Sequence, residues 1–242
     1  METKTYNLPI FIALLATALM LQSCVYDVNA IKGNKNIVTV ENNLAPFESL
    51  KISGIFKVHL TEGSSPYIKI ETDENIQEYI TVEVRNNTLY LGMDKGSYDP
   101  SRLEVYITAN PLKKIDISGA ASLTSETILT GETLMIITSG ASNADIEIQS
   151  EKLKTRVSGA GKINIRGETS QHDIQISGVA SINCRELYTE KTKLSISGAG
   201  SARVHATESL DATVSGVGSV RYSGDPENVR TSTSGAGSIK PV

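Results

Sequence analysis

Apolar and polar residues alternate with period two along most of the chain, the pattern of strands that bury one face. Ile115, Ile117 and Leu123 share one side of that alternation, as do Ile174, Ile176 and Ile182, and Val214 and Val220. Inside each set lies the same short phrase: Ser-Gly, then Ala or Val, then a small residue, then in most copies Ser. Its copies begin at Ser118, Ser139, Ser158, Ser177, Ser197, Ser215 and Ser234, in steps of 21, 19, 19, 20, 18 and 19 residues. A fixed period in this range marks a stacked repeat, in which each unit buries its apolar side only against its neighbours. A coil of about 19 residues at roughly 3.3 Å each has a perimeter near 60 Å, room for two or three strands and their turns. The expected fold class is therefore all-β, a right-handed parallel β-helix (β-solenoid) with coils of about 19 residues. A left-handed helix would need a hexapeptide subrepeat, which the sequence lacks.

Two readings of the phrase stay open. If each strand runs straight through it, Gly119 and Ala121 face inward with Ile117 and Leu123, and the serines form an outward ladder. If the glycine bends the chain instead, the phrase is a corner at which the alternation resets.

Residues 44–113 carry the same alternation in separate pieces and read as N-terminal strands capping one end of the 114–242 array. Leu50-Lys51-Ile52, Phe56 to Leu60, Tyr67 to Glu71, Thr81 to Arg85, Thr88 to Leu91 and Leu103 to Ile107 are the expected strands. Asn86-Asn87 joins two of them as a two-residue hairpin, and Asp73 to Ile80 has the spacing of one helical turn with Asp73 as N-cap. Ser53-Gly54 echoes the phrase with bulky Ile55 and Phe56 after it, as an atypical outermost coil should.

The first 23 residues change the picture from fold to address. Lys4 precedes an apolar run from Ile10 to Leu21, too short to span a bilayer, which is the form of a secretory signal peptide. It ends in Leu21-Gln22-Ser23-Cys24, which resembles the lipobox of bacterial lipoproteins and implies lipid attachment at Cys24, a membrane partner through that lipid, and an address in the cell envelope at the outer membrane, on a side left open. Residues 24–43 are then the lipidated cysteine and a flexible polar tether. With Cys24 committed to lipid, Cys184 has no disulfide partner and reads as a small core residue. A net charge of -4 without like-charged blocks argues against a nucleic-acid partner.

The usual chemical motifs fail on inspection. Gly159-Ala160-Gly161-Lys162 lacks the leading glycine and the following hydroxyl of a phosphate loop, and Gly198-Ala199-Gly200 has Arg203 where a dinucleotide fingerprint needs its third glycine. Seven aligned serines suggest a nucleophile, but His59, His172 and His205 sit in different coils; His172 is expected in a polar turn, and all three read as solvated or packing residues. None has a His or Cys at ligand spacing, so neither a metal nor a cofactor is expected.

One outward stripe stands apart. Asp145 and Glu147 alternate with Ile146 and Ile148, Asn164 and Arg166 follow one coil on, and Asn183 and Arg185 one further. These six residues are the candidate binding surface. They also define the rival reading, a polysaccharide-active β-helix enzyme using the paired carboxylates.

The run Phe47 to Leu60, Asn86 to Leu91 and Leu103 to Ile117, leading into Ser-Gly-Ala repeats, resembles the putative auto-transporter adhesin head GIN domain family of exported bacterial β-solenoids. The likeness spans Phe47 to Val242. It implies adhesion and offers no catalytic residues to carry over. The function expected is thus non-enzymatic, adhesin-like binding of a glycan or an envelope protein; a structural envelope spacer is the third reading. Because the array ends two residues after Lys240, its last coil is also expected to self-associate weakly.

Overall fold

The computed structural model describes residues 29–242. The expected signal peptide, Cys24 and the first residues of the expected tether lie outside the described residues. The described residues are all-β, 72% strand with almost no helix, and their sheet curls into a half-barrel. Among the described residues, 17 strands form one sheet, and a second small sheet pairs Ile31–Lys32 with Tyr98–Asp99.

The repeat is realised as two parallel ladders, one on each side of the Ser-Gly corner. In the first, Lys114–Gly119 lies between Ser49–Gly54 and the long strand Leu129–Ile176, with Ser118 opposite Ser53 on one side and Ser139 on the other. The ladder continues to the end of the chain, where Ser209–Gly216 pairs with Asn228–Gly235. In the second, Lys57–Glu62 pairs with Ser122–Ser125, and later Val179–Cys184, Ser201–His205, Ser219–Ser223 and Ser238–Pro241 follow in order. Equal positions of successive repeats therefore face each other, the register that a fixed period demands.

The phrase combines the two open readings. Ile117 and Ala121 are both buried, so the alternation passes through without resetting, yet Gly119 between them is exposed with φ +95°. The glycine is a corner in a left-handed conformation that side chains rarely adopt, which corrects its inward placement. The serine before it points outward, and Ser118 Oγ donates to the Ile52 carbonyl oxygen at 3.0 Å. Inside, Leu50, Ile52, Ile115, Ile117, Ile136, Ile146, Ile163, Ile182 and Val204 belong to one continuous apolar core with Cys184 among them. Each such side chain contributes about 1.5–3 kcal/mol on burial.

The ends differ. At the N-terminal end Ile80–Arg85 and Thr88–Met93 form an antiparallel hairpin through Asn86 and Asn87, both at positive φ, as their sequence predicts. Two expectations need correction. Residues 37–43 are not tether: Ile37–Asn43 is a strand antiparallel to Tyr67–Asp73, because Val38 and Val40 alternate with polar residues and half-bury one side. Asp73 does stand before the short helix Glu74–Gln77 (α1) but does not cap it. Its buried carboxylate accepts instead from the backbone N–H of Lys35 (2.6 Å) and Ser101 (2.7 Å) and from Ser101 Oγ (2.7 Å). Burial works to raise the Asp73 pKa, but these hydrogen bonds outweigh it and hold the carboxyl below its ordinary value.

At the C-terminal end Leu210, Ala212 and Val214 of one coil face Val229, Thr231 and Thr233 of the last. Two of these three positions have turned polar, and all three are exposed.

Candidate functional site

Strands of the second ladder carry the predicted stripe. Alternation with buried Ala144, Ile146 and Ile148 turns Asp145 and Glu147 outward, and alternation with buried Ile163 and Ile165 does the same for Asn164 and Arg166. The Arg166 guanidinium bridges both carboxylates: Nη1 is paired with Asp145 Oδ1, and Nε donates to Glu147 Oε2 at 3.1 Å. The hydrogen bonds from Arg166 to Glu147 and then to Asp145 raise its pKa further. Asn164 lies in register with Asn183, and its enclosed Oδ1 has no hydrogen-bond partner. Arg185 is left apart, exposed in the turn before Leu187, with no ion pair among the described residues. Three of the six candidates thus form one cluster, two more sit beside it, and Arg185 does not join.

An open groove of about 550 Å³ runs beside this fork, lined in part by Ile128, Glu147, Arg166, Glu168 and Tyr188. Ile128 and Tyr188 were not among the candidates. The signal for Ile128 was a large apolar residue in a polar connection and for Tyr188 an aromatic at an outward strand position; Tyr188 is 61% exposed and meets the His205 ring edge-on at 5.0 Å. Each carboxylate meets the guanidinium through one oxygen, Asp145 through Oδ1 and Glu147 through Oε2.

A second polar network, at the N-terminal end of the same ladder, was also not foreseen. His59 stacks on Tyr106 at 4.8 Å, and its Nδ1 lies 2.7 Å from Glu126 Oε1. Lys69 Nζ sits 4.2 Å from the centroid of the Tyr106 ring and 2.8 Å from Glu71, while Arg102 bridges Glu71 and Glu104. The hydrogen bond from Lys69 holds the Glu71 carboxyl below its usual range, and that from Tyr106 does the same for Glu104. With Lys57 on Glu104 at 3.2 Å, three cations face three carboxylates here, as in a structural network.

His172 corrects another expectation. It is 1% exposed rather than in a polar turn, because it occupies an inward position in register with Thr192, itself opposite Leu210. Its Nε2 lies 2.9 Å from Thr155 Oγ1, its Nδ1 has no partner, and burial lowers its pKa to about 3. Cys184 is buried and free, its thiol pushed well up by burial. Among the described residues, no three of His, Cys, Asp and Glu come together as a metal-binding set, and no helix is long and apolar enough to cross a membrane.

A search among curated proteins returns no match. Solved structures match over almost the whole described chain. An adhesin from Bacteroides fragilis, titled putative, is 28% identical with TM-score 0.85, covering 88% of this chain and 100% of its own. A protein from Parabacteroides distasonis titled a putative lipid binding protein is 23% identical with TM-score 0.71, covering 88% and 99%. One from Parabacteroides merdae, titled a putative adhesin, is 24% identical with TM-score 0.66 over the same shares and, like the second, speaks for the fold alone. The family described as putative auto-transporter adhesin, head GIN domain, matches residues 46–226, three quarters of the chain, and it is to this family that the chain belongs.

Proposed function

We propose that this protein is an exported, lipid-anchored envelope protein that binds a glycan, or an envelope protein, without turning it over. The observation that carries the reading is the Asp145–Arg166–Glu147 fork beside an open groove with a largely exposed Tyr188. A flat aromatic face next to fixed donors and acceptors suits sugar rings with their hydroxyls. The family name and the adhesin neighbours point the same way. Lipid attachment at Cys24 and an outer-membrane address are part of the proposal and rest on the sequence. So does the stack's closure as a right-handed parallel β-helix, which the in-register parallel ladders favour.

The test is a glycan array and an envelope pull-down with lipid-free residues 25–242. Saturable binding without turnover, weakened by Arg166→Met, is expected. Turnover abolished by Asp145→Asn and Glu147→Gln would establish the enzymatic reading instead, and absence of both binding and turnover would leave a spacer. The unpaired edge of Asn228–Gly235 carries the proposal of weak self-association, which a monomer at high concentration in sedimentation would refute.

A further inference from the structure

The outward files of the second ladder change character along the stack. One file reads Asn164, Asn183, Arg203, Arg221, Lys240, each in register with the next. Beside it runs Lys162, Ser181, Ser201, Ser219, Ser238. After Glu147 these faces carry no carboxylate; Glu186, Glu208, Asp225 and Glu227 all fall in or beside the turns. Adjacent strands lie about 4.8 Å apart, so Arg203, Arg221 and Lys240 stack three cations within roughly 10 Å. Among the described residues, none of the three side chains has an ion pair, hydrogen bond or ring partner.

Like charges placed directly opposite each other destabilise a sheet. The first ladder of the same coils avoids this: Asp173 faces Lys193, Lys193 faces Asp211, and Asp211 faces Arg230. On a chain whose net charge is -4, an uncompensated basic file is the opposite of what composition supplies. Between the two files lies a depression of about 90 Å³ lined by Ser181, Asn183, Ser201, Arg203, Ser219 and Arg221, with Ser201 Oγ donating to Ser181 Oγ at 3.2 Å. Its lining of three serines, one asparagine and two arginines offers donors to a carboxylate or sulfate group.

We propose that this face binds an extended polyanionic glycan, bearing carboxylate or sulfate groups, laid along the stack. The proposal rests on the glycan-binding reading above and gives it a ligand class and a second contact surface. Arginines held on a rigid sheet present forked donors matched to carboxylate and sulfate. The serine and asparagine files offer partners for sugar hydroxyls, which a bilayer surface would not use.

The experiment measures binding of the full chain to polygalacturonate, heparin, neutral dextran, phosphatidylserine vesicles and single-stranded DNA. Binding to one or both acidic glycans, lost at 1 M salt as exposed charges are screened, is expected. Arg221→Glu places a carboxylate between Arg203 and Lys240, so it should weaken acidic-glycan binding at least tenfold while raising the thermal midpoint. That opposite movement separates the binding face from mere misfolding. Unchanged acidic-glycan affinity in Arg221→Glu overturns the inference, as does vesicle or DNA binding that equals the glycan's and shares its sensitivity. Dextran binding alone overturns it while leaving the adhesin reading intact, and binding to no glycan overturns it together with the glycan form of that reading.

Discussion

Gly119 and Gly140 face each other across adjacent coils so closely that a Cβ on Gly140 would lie 2.5 Å from the Gly119 carbonyl oxygen. Gly140 also has φ +87°. Gly140→Ala should therefore lose about 3 kcal/mol, strain and clash together. Gly131, at φ +156° with nothing within 4 Å of a Cβ, should lose about 1 kcal/mol on the same change. Urea denaturation of both variants measures the difference, which is the part due to coil stacking.

Asp73 ties the strand Ile37–Asn43 and its leading turn to the loop at Ser101. Asp73→Asn turns an acceptor into a group that is half donor against backbone N–H groups, and should cost about 2–3 kcal/mol. Because the folded carboxyl sits below its ordinary value, its stabilisation is complete above about pH 3.9 and disappears as pH falls through the folded value. Loss of protection at residues 34–43 in hydrogen exchange should precede loss of the array as acid is added.

His172 acts in a higher pH window. Folded it stays neutral down to about pH 3, whereas unfolded it takes a proton below about pH 6.5. The unfolded state then binds more protons, so stability falls by about 1.4 kcal/mol per unit from pH 6.5 downward until the folded value is reached. By pH 5 the loss is about 2 kcal/mol. His172→Leu, which copies Leu210 two coils on, should flatten this dependence in denaturation curves run at pH 7 and pH 5.

Arg166 separates stability from binding. Its ion pairs are partly exposed, so Arg166→Met should cost about 1 kcal/mol or less. The same change removes the donors that shape the groove, and ligand affinity should fall tenfold or more in titration calorimetry.

Much of this was written in the residues. A stack needs the same corner in every layer, so the glycine positions recur at a period that can be counted, and parity alone turned Asp145 and Glu147 outward. The hairpin at Asn86-Asn87 was equally plain. What escaped depended on distant partners. Asp73 looks like a helix cap because its true donors, Lys35 and Ser101, are 38 and 28 residues away. His172 sits between Gln171 and Asp173 and looks solvated until register places it above Thr192. The groove needed Ile128, in a connection, and Tyr188, at the start of the strand Leu187–Gly198, which no local pattern joins. The basic file was hidden in the same way, since Arg203, Arg221 and Lys240 are 18 and 19 residues apart and become neighbours only through coil pairing.

The asymmetric ends give the molecule a direction of growth. The antiparallel hairpin Ile80–Met93 breaks the parallel pattern at the start, while the last coil keeps it and merely softens its interior with Thr231 and Thr233. One more repeat spliced between Gly198 and Gly216 would meet matching corners on both sides and widen the sheet by about 4.8 Å. Reach is thus adjustable in single-layer increments, the Asp145–Arg166–Glu147 fork keeping its own neighbours while Arg203 and Arg221 would be parted by the added layer.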